Sequence, residues 1–455
     1  MIFDSLFGDP AADAHLSDAS RVAAMLRVEV ALAKAEASLG VIPASAVSAI
    51  ERGANIANLD LAALGDGAVL AGNLAIPLVR QLTEHVARID ADAARYVHWG
   101  ATSQDVIDSG RVLQLRDALA IVLASLGRAG DAAAALAERH VATVMPGRTW
   151  LQHATPITFG LKAAGWMSAL DRARVHVASA LDSALVLQLG GASGTLAALG
   201  PRASAVALAM GKELNLAVPD LPWHAHRDRF AALACALGVA TGTMGKIARD
   251  VSLLAQTEVA EAFEGGAEGR GGSSTMPQKR NPVGASVVLA ASLRAPGLVA
   301  TMLAALPHEH ERGLGGWQVE WETLPELVHL AAGAARHVAE MLGSLEVDVK
   351  RMRANVDITG GVSLAESVSM ALAAHIGKFD AHRTIGAASR RAIAERRPLA
   401  DVLAEMPEVT KHLSNEELTR MLIPENYLGA SVQLVRAAVA THARERDGAA
   451  RARPK

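Results

Sequence analysis

Aromatic side chains are scarce in this sequence: six Trp, two Tyr and six Phe make up 3% of its 455 residues. A core must then be built from Ala, Leu and Val, whose small or flexible side chains let helices approach closely; Ala also has the highest helix propensity. Cysteine is limited to Cys235, which excludes an internal disulfide, suits a reducing compartment and reads as a small buried apolar residue. Charge of one sign is lacking as well. A formal net charge of −3 gives no electrostatic reason for nucleic acid or an anionic membrane as partner. The opening MIFDSLFGDP has neither a basic region nor an apolar run of the signal-peptide kind. The least charged stretches, 230–245 and 183–200, are respectively too short and too interrupted by Gln188, Ser193, Thr195 and glycines to span a bilayer. Convincing alternating strands are missing too. These absences point to a soluble, cytoplasmic, all-α protein with no membrane or nucleic-acid partner.

What is present is helical periodicity. Met25, Val28, Leu32, Ala35 and Leu39 recur at three- and four-residue steps and share one helix face. Leu233, Leu237, Ala240, Met244, Ile247, Val251 and Leu254 alternate steps of four and three, a coiled-coil-like seam roughly 32 Å long. Gly238, Gly242 and Gly245 on the same helix lower its propensity, which suggests close backbone packing against neighbouring helices, including those of other subunits. So apolar a helix needs several partners; Lys246, Arg249, Asp250 and Glu258 argue against a membrane as the partner. Breaks near 41–43, 146–147, 190–201, 219–223, 264–281 and 357–361 divide the chain into an N-terminal helical domain (1–110), a central long-helix bundle (111–355) and a C-terminal helical domain (356–455). The charged tail from residue 443 is expected to fray.

The strongest chemical feature is 264–282, EGGAEGRGGSSTMPQKRNP, in which five glycines precede two serines, with Lys279 and Asn281 following. Glycine permits unusual backbone angles, so the segment reads as a flap between long helices. Consecutive N–H groups near the start of the next helix, a Lys ammonium and an Asn amide would suit a carboxylate whose charge grows during reaction. Composition alone would equally fit a solvated linker.

The eleven residues GSSTMPQKRNP resemble the signature GSSxMPxKxNP of the fumarase/aspartase superfamily, which includes adenylosuccinate lyase, argininosuccinate lyase and fumarase. The resemblance implies three helical domains around a central bundle that assembles into a homotetramer, with active sites drawn from three subunits. It also implies that Ser273 is the catalytic base and that Lys279 and Asn281 contact a substrate carboxylate. A serine acts as a base near neutrality only in a closed site where oriented donors and a cation steady its alkoxide.

Further segments are similar to the same family. YVHWGATSQDVIDS (96–109) resembles HYGxTSxD, which brings His98 into the site and makes Thr102 and Ser103 carboxylate-binding hydroxyls, although either would also serve to cap the helix that follows. GRTWLQHATPITFG (147–160) resembles GRTHxQPAxPxTFG, with Gln152 at the substrate-binding glutamine. Here the chain departs from the lyases: Trp150 stands where they place the histidine that protonates an amine leaving group, and His153 replaces a proline or small residue. Expelling an amine requires that proton; a carboxylate, whose conjugate acid has a pKa near ~4, leaves without it. Trp150 therefore favours intramolecular lactone chemistry over amine elimination, the alternative being that His153 has taken over the proton. GGASGTLAALG (190–200) resembles the lyases' GAxGT loop and nominates Ser193 and Thr195. WHAHRDR (223–229) and EHER (309–312) nominate Arg227, Arg229 and Arg312 as carboxylate partners, or equally as structural ion pairs. The paired histidines 224/226 and 308/310 lack the spacing and acidic company of a metal site, so no metal or other cofactor is expected.

The similarity runs from VAAMLRVEVALAKAEASLGVIP to ENYLGASVQLV. WLQH (150–153), LGGASGTLAA (189–198), WHAHRDR and NYLG (426–429) are most similar to the bacterial branch that closes a γ-lactone on 3-carboxy-cis,cis-muconate in protocatechuate catabolism, a small polycarboxylate substrate. Two alternatives stand beside it: a C–N lyase of the adenylosuccinate type and a non-catalytic helical scaffold.

Overall fold

The structure, a computed structural model, describes residues 2–265, 271–272 and 274–451. Long helices dominate: α1 (Asp18–Ser38), α2 (Ser103–Arg139), α3 (Phe159–Ala184), α4 (Asp228–Leu254), α5 (Val283–Ala304), α6 (Gly316–Gly343) and α7 (Ser431–Arg451). By its internal contacts the chain divides into two compact units, Met1–Leu126 with Ala173–Gly245 and Val287–Arg336, and Gly127–Arg172 with Lys246–Ser286 and His337–Lys455. The linear cuts at residues 110 and 355 follow punctuation, whereas these units follow packing, and each draws on three stretches of chain.

In the first unit, Ser17 caps α1 by accepting the Ser20 N–H at 3.2 Å. Met25, Val28, Leu32 and Ala35 form its buried face and Leu39 is half-buried at the end, so the periodic reading holds. The helix packs on Ala203–Leu214. All seven seam positions of α4, a helix whose residues from Lys246 onward are counted with the second unit, are buried, from 0 to 4% exposed. Two of its glycines do what the sequence suggested: a Cβ on Gly238 would lie 2.7 Å from a Val299 methyl, and one on Gly245 would lie 2.6 Å from Ser292, both on α5. Gly242 faces open space. Gly333 on α6 takes the Phe7 carbonyl where its side chain would stand, 1.7 Å from an ideal Cβ, and Arg336 donates to Gly8 O. Cys235 is half-buried, less enclosed than its composition suggested.

The second unit contains what the sequence reading missed, an antiparallel hairpin of β1 (Val144–Thr149) and β2 (Gln152–Thr158). Its register shifts between Pro146 and Arg148, where a side chain on Gly147 would strike the Thr155 carbonyl at 2.4 Å. Val368, Leu372, Ile385, Leu399, Val402 and Leu418 anchor the C-terminal core. His442 holds α7 in place, its ring between Asp171 (2.9 Å) and Asp131 (3.1 Å). α7 runs on to Arg451, beyond the point where fraying was expected.

Among the described residues three helices, α2, α4 and α5, are long and apolar enough to cross a membrane by length and composition, so the stretch at 230–245 belongs to a longer element than its composition suggested. The most apolar window of α5 is only 28% buried within the chain, and Leu293 on it is 78% exposed.

Candidate active site

Asp105 organises the first unit's candidate segments. Buried near the start of α2, it accepts the Thr102 N–H at 3.0 Å and the N–H groups of Gly190 and Gly191 at 2.9 Å each, and its Oδ1 lies 2.8 Å from His224 Nε2. One carboxylate thereby joins three of the segments nominated above. Arg312 adds a fourth, donating to Thr102 Oγ1 at 3.2 Å and to Ala192 O at 3.1 Å. Ser103 is half-buried at the helix start, Ser193 and Thr195 are exposed on the glycine-rich loop, and Arg229 is half-buried. Arg227 is withdrawn from any ligand: fully buried, it forks between Asp108 (2.6 Å) and Glu320 (2.5 Å), with Trp223 stacked on it. The structural reading of Arg227 wins.

His98 sits in the left-handed region at φ 60°, a conformation non-glycine residues rarely adopt without compensation. The compensation is Glu29 on α1, whose Oε1 lies 2.7 Å from His98 Nδ1 while the carboxylate itself is inaccessible to solvent. Burial alone would lower the imidazole's pKa, but the charge and hydrogen bond of Glu29, with Asp105 beyond, carry it above its ordinary value. One helical stretch further, Glu36 is buried with neither carboxyl oxygen bonded; burial first, then the charge of Glu29, pushes its pKa up to about 8. The site thus contains an imidazole disposed to hold a proton, oriented by a buried carboxylate. Sequence reasoning missed Glu29, Asp105 and His224 in these roles.

In the second unit, Trp150 and Leu151 form the two-residue turn of the hairpin at φ 52° and 64°. Such turns need positive φ at both central residues and favour Asn-Gly, so Trp-Leu is strained. Trp150 is 96% exposed and Leu151 82%. Gln152 is exposed beside the turn, and His153 pairs across the ladder with Arg148. Arg148 is held bidentately by Glu261 at 2.9 and 2.5 Å, with Asn355 donating to the same carboxylate at 2.7 Å. His153 Nδ1 is buried without a partner, and burial, followed by the Arg148 charge, lowers its pKa. The two candidate histidines, each in its own unit, are therefore pushed in opposite directions.

Ser273 lies outside the described residues. Around it, Gly271 at φ 74° accepts the Asn281 N–H at 2.8 Å, closing the loop, and the Lys279 side chain is exposed. Asn281 is half-buried, its amide 3.5 Å from Gly272 O. One expectation is corrected here. The N–H groups opening α5 are already taken: Glu264 accepts from Gly284 at 2.9 Å and Ala285 at 2.7 Å, while Asn281 O and Pro282 O accept from Val283 and Ser286. A helix start has only four such donors, so this one has none left for a substrate.

Residues 10–297 match the lyase family, and residues 361–438 match the adenylosuccinate lyase C-terminus. The chain is 52% identical to a 3-carboxy-cis,cis-muconate cycloisomerase of Pseudomonas aeruginosa over 97% of its own length and 96% of the relative's. It is also 52% identical to an enzyme of the same name from Bradyrhizobium diazoefficiens, covering 93% of this chain and 94% of that one. The crystal structure of the 3-carboxy-cis,cis-muconate lactonizing enzyme from Pseudomonas putida superposes with a TM-score of 0.92 at 48% identity, over 97% of this chain and 99% of that one. With its predominantly helical fold and this family match across most of its length, the chain belongs to the fumarase/aspartase superfamily, in the branch of the 3-carboxy-cis,cis-muconate cycloisomerases.

Proposed function

We propose that the protein lactonises 3-carboxy-cis,cis-muconate to 4-carboxymuconolactone, a step of protocatechuate catabolism in the β-ketoadipate pathway. The observation that carries this reading is Trp150 at the hairpin tip. Where the amine-expelling lyases need a proton donor, this chain presents an indole, which has no proton to give at neutral pH. A carboxylate that adds to the double bond, or leaves in the reverse direction, is a stable anion and needs no donor at that position; the one proton the ring closure requires goes to carbon. The likeness to enzymes of that name over nearly the whole chain supports the same choice.

In the proposed reaction a carboxylate oxygen of the substrate adds to one carbon of a double bond, forming the C–O bond of a γ-lactone. The displaced electron pair moves onto the carboxylate conjugated with that bond, giving an enolate-like species, and a proton then joins the adjacent carbon. Lys279 and Asn281 steady the enolate, and Ser273 transfers the proton. His98 and His153 polarise that transfer, the first from the protonated side and the second from the neutral side. Thr102, Ser103, Gln152, Ser193, Thr195, Arg229 and Arg312 bind the remaining carboxylates, with Trp150 forming the apolar wall. No metal or other cofactor enters this scheme. We place the protein in the cytoplasm, as a homotetramer whose active sites combine segments of several subunits. The exposed apolar surface of α5 supports that assembly.

The test is direct. Purified protein given 3-carboxy-cis,cis-muconate should deplete its ultraviolet absorbance, and Ser273→Ala should abolish this while leaving the circular dichroism unchanged. Turnover of adenylosuccinate without turnover of the muconate would reject the reading.

A further inference from the structure

Apart from the candidate catalytic and carboxylate-binding residues, the first unit gathers a second set of polar groups. Arg21 on α1, Arg111 and Gln114 on α2 and Trp321 on α6 line a cavity of about 70 Å3, with Met25 and Ile107 as its apolar side. Four atoms in these side chains are buried and unbonded: the donors Arg21 Nε, Arg111 Nη1 and Trp321 Nε1, and the acceptor Gln114 Oε1. Other atoms of three of these side chains are already engaged. Arg111 Nη2 donates to Trp321 O at 3.2 Å, Gln114 Nε2 donates to His15 O at 2.9 Å, and Arg21 pairs with Asp18 at 3.3 Å. Turning the Gln114 amide over would set its oxygen against the His15 carbonyl, so the side chain offers the cavity an acceptor. Arg111 is only 6% exposed and Gln114 2%. Burial, then the neighbouring Arg21, brings the Arg111 pKa down to about 9, so the guanidinium lacks the counter-charge it needs. Asp108 and Glu320 act on it at a distance but are both bonded to Arg227, and Glu322 stands exposed at the rim.

We propose that this cavity binds a small oxyanion that retains one hydroxyl, of the hydrogencarbonate class. The three unbonded donors match the lone pairs of a delocalised O–C–O group, and the remaining hydroxyl donates to Gln114 Oε1. Chloride and nitrate answer the donors and leave Gln114 without a partner. A dianion meets repulsion from Glu322. The volume suits an anion of a few heavy atoms and is too small for a muconate tricarboxylate. Entry runs through a groove of about 650 Å3 that shares Arg21, Trp321 and Glu322 with the cavity and is walled by Phe3, Phe7 and Pro325.

Thermal unfolding of the full-length protein at pH 8 tests this, at ionic strength held constant with sodium gluconate. Sodium hydrogencarbonate should raise the melting temperature saturably by about 2 °C, with sodium nitrate and sodium chloride giving less than half of that. Arg111→Met should lose the response to all three salts. Should that variant fail to fold, Gln114→Leu removes only the acceptor and should level the three salts. Equal responses to all salts in the wild type, as a cavity filled by water would give, overturn the proposal. So does a hydrogencarbonate preference that survives in Gln114→Leu.

Discussion

Glu29 sets the state of His98, and the two are separable by experiment. Replacing the carboxylate in Glu29→Gln keeps a hydrogen-bonding group but removes the charge, so burial then dominates and the His98 pKa falls below its ordinary value. The limb of the kcat/KM profile governed by His98 should move to lower pH, with activity near neutrality down by roughly tenfold or more; an unmoved profile would remove His98 from the chemistry. Glu36 gives a stability prediction with a defined sign. Its folded-state pKa, about 8, exceeds its unfolded value of 4.5, so its contribution is full below pH 4.5 and lost as pH rises through 8. The His98–Glu29 pair runs the same way, complete below the ordinary histidine pKa and lost above the raised one. Melting temperature should therefore decline from mildly acid to mildly alkaline pH. Glu36→Gln should flatten that decline, stabilising the protein most at pH 8.5 by up to ~1.4 kcal/mol for each pH unit of the lost window. Neither role was legible in the sequence. Glu29 lies 69 residues from His98, and Asp105 lies 119 from His224, separations at which no local pattern announces a pair.

Among the elements, α4 was readable because a buried face leaves a period, and all seven of its seam positions are buried. Its two packed glycines carry a prediction: Gly245→Val should destabilise the protein by about 1–3 kcal/mol in denaturant titration, since Ser292 has to move. The hairpin was not readable. Pro146, Gly147 and Pro156 interrupt any alternation, and Trp-Leu is not a pair that signals a tight turn. Its strain is measurable. Replacing Trp150 and Leu151 together by Asn-Gly should stabilise the chain by about 1 kcal/mol or more while lowering turnover, whereas a turn free of strain would show no thermal gain. The flap was legible as a loop with a signature, but the capture of the α5 N–H groups by Glu264 was not, because helix starts of this kind usually advertise their cap within three or four residues, and here it lies twenty or more away.

For the whole molecule, the predominantly helical architecture followed from composition and period, while the grouping of the chain into two packed units did not, since each is assembled from three separated stretches. The expected assembly is checked by sedimentation, which should return roughly four times the 47.2 kDa of one chain. Leu293→Asp, a charge set on an exposed and apolar helix, should yield smaller species with reduced turnover if the active sites are shared. The Glu264 carboxylate at the head of α5 has a further consequence at this scale. With that helix dipole answered internally and Arg280 engaged by Glu346, Lys279 is, among the described residues of this stretch, an exposed ammonium open to an approaching polyanion. Its share of the encounter rate should then weaken only gently with added salt, as the pull of one charge does, and Lys279→Gln should remove that share.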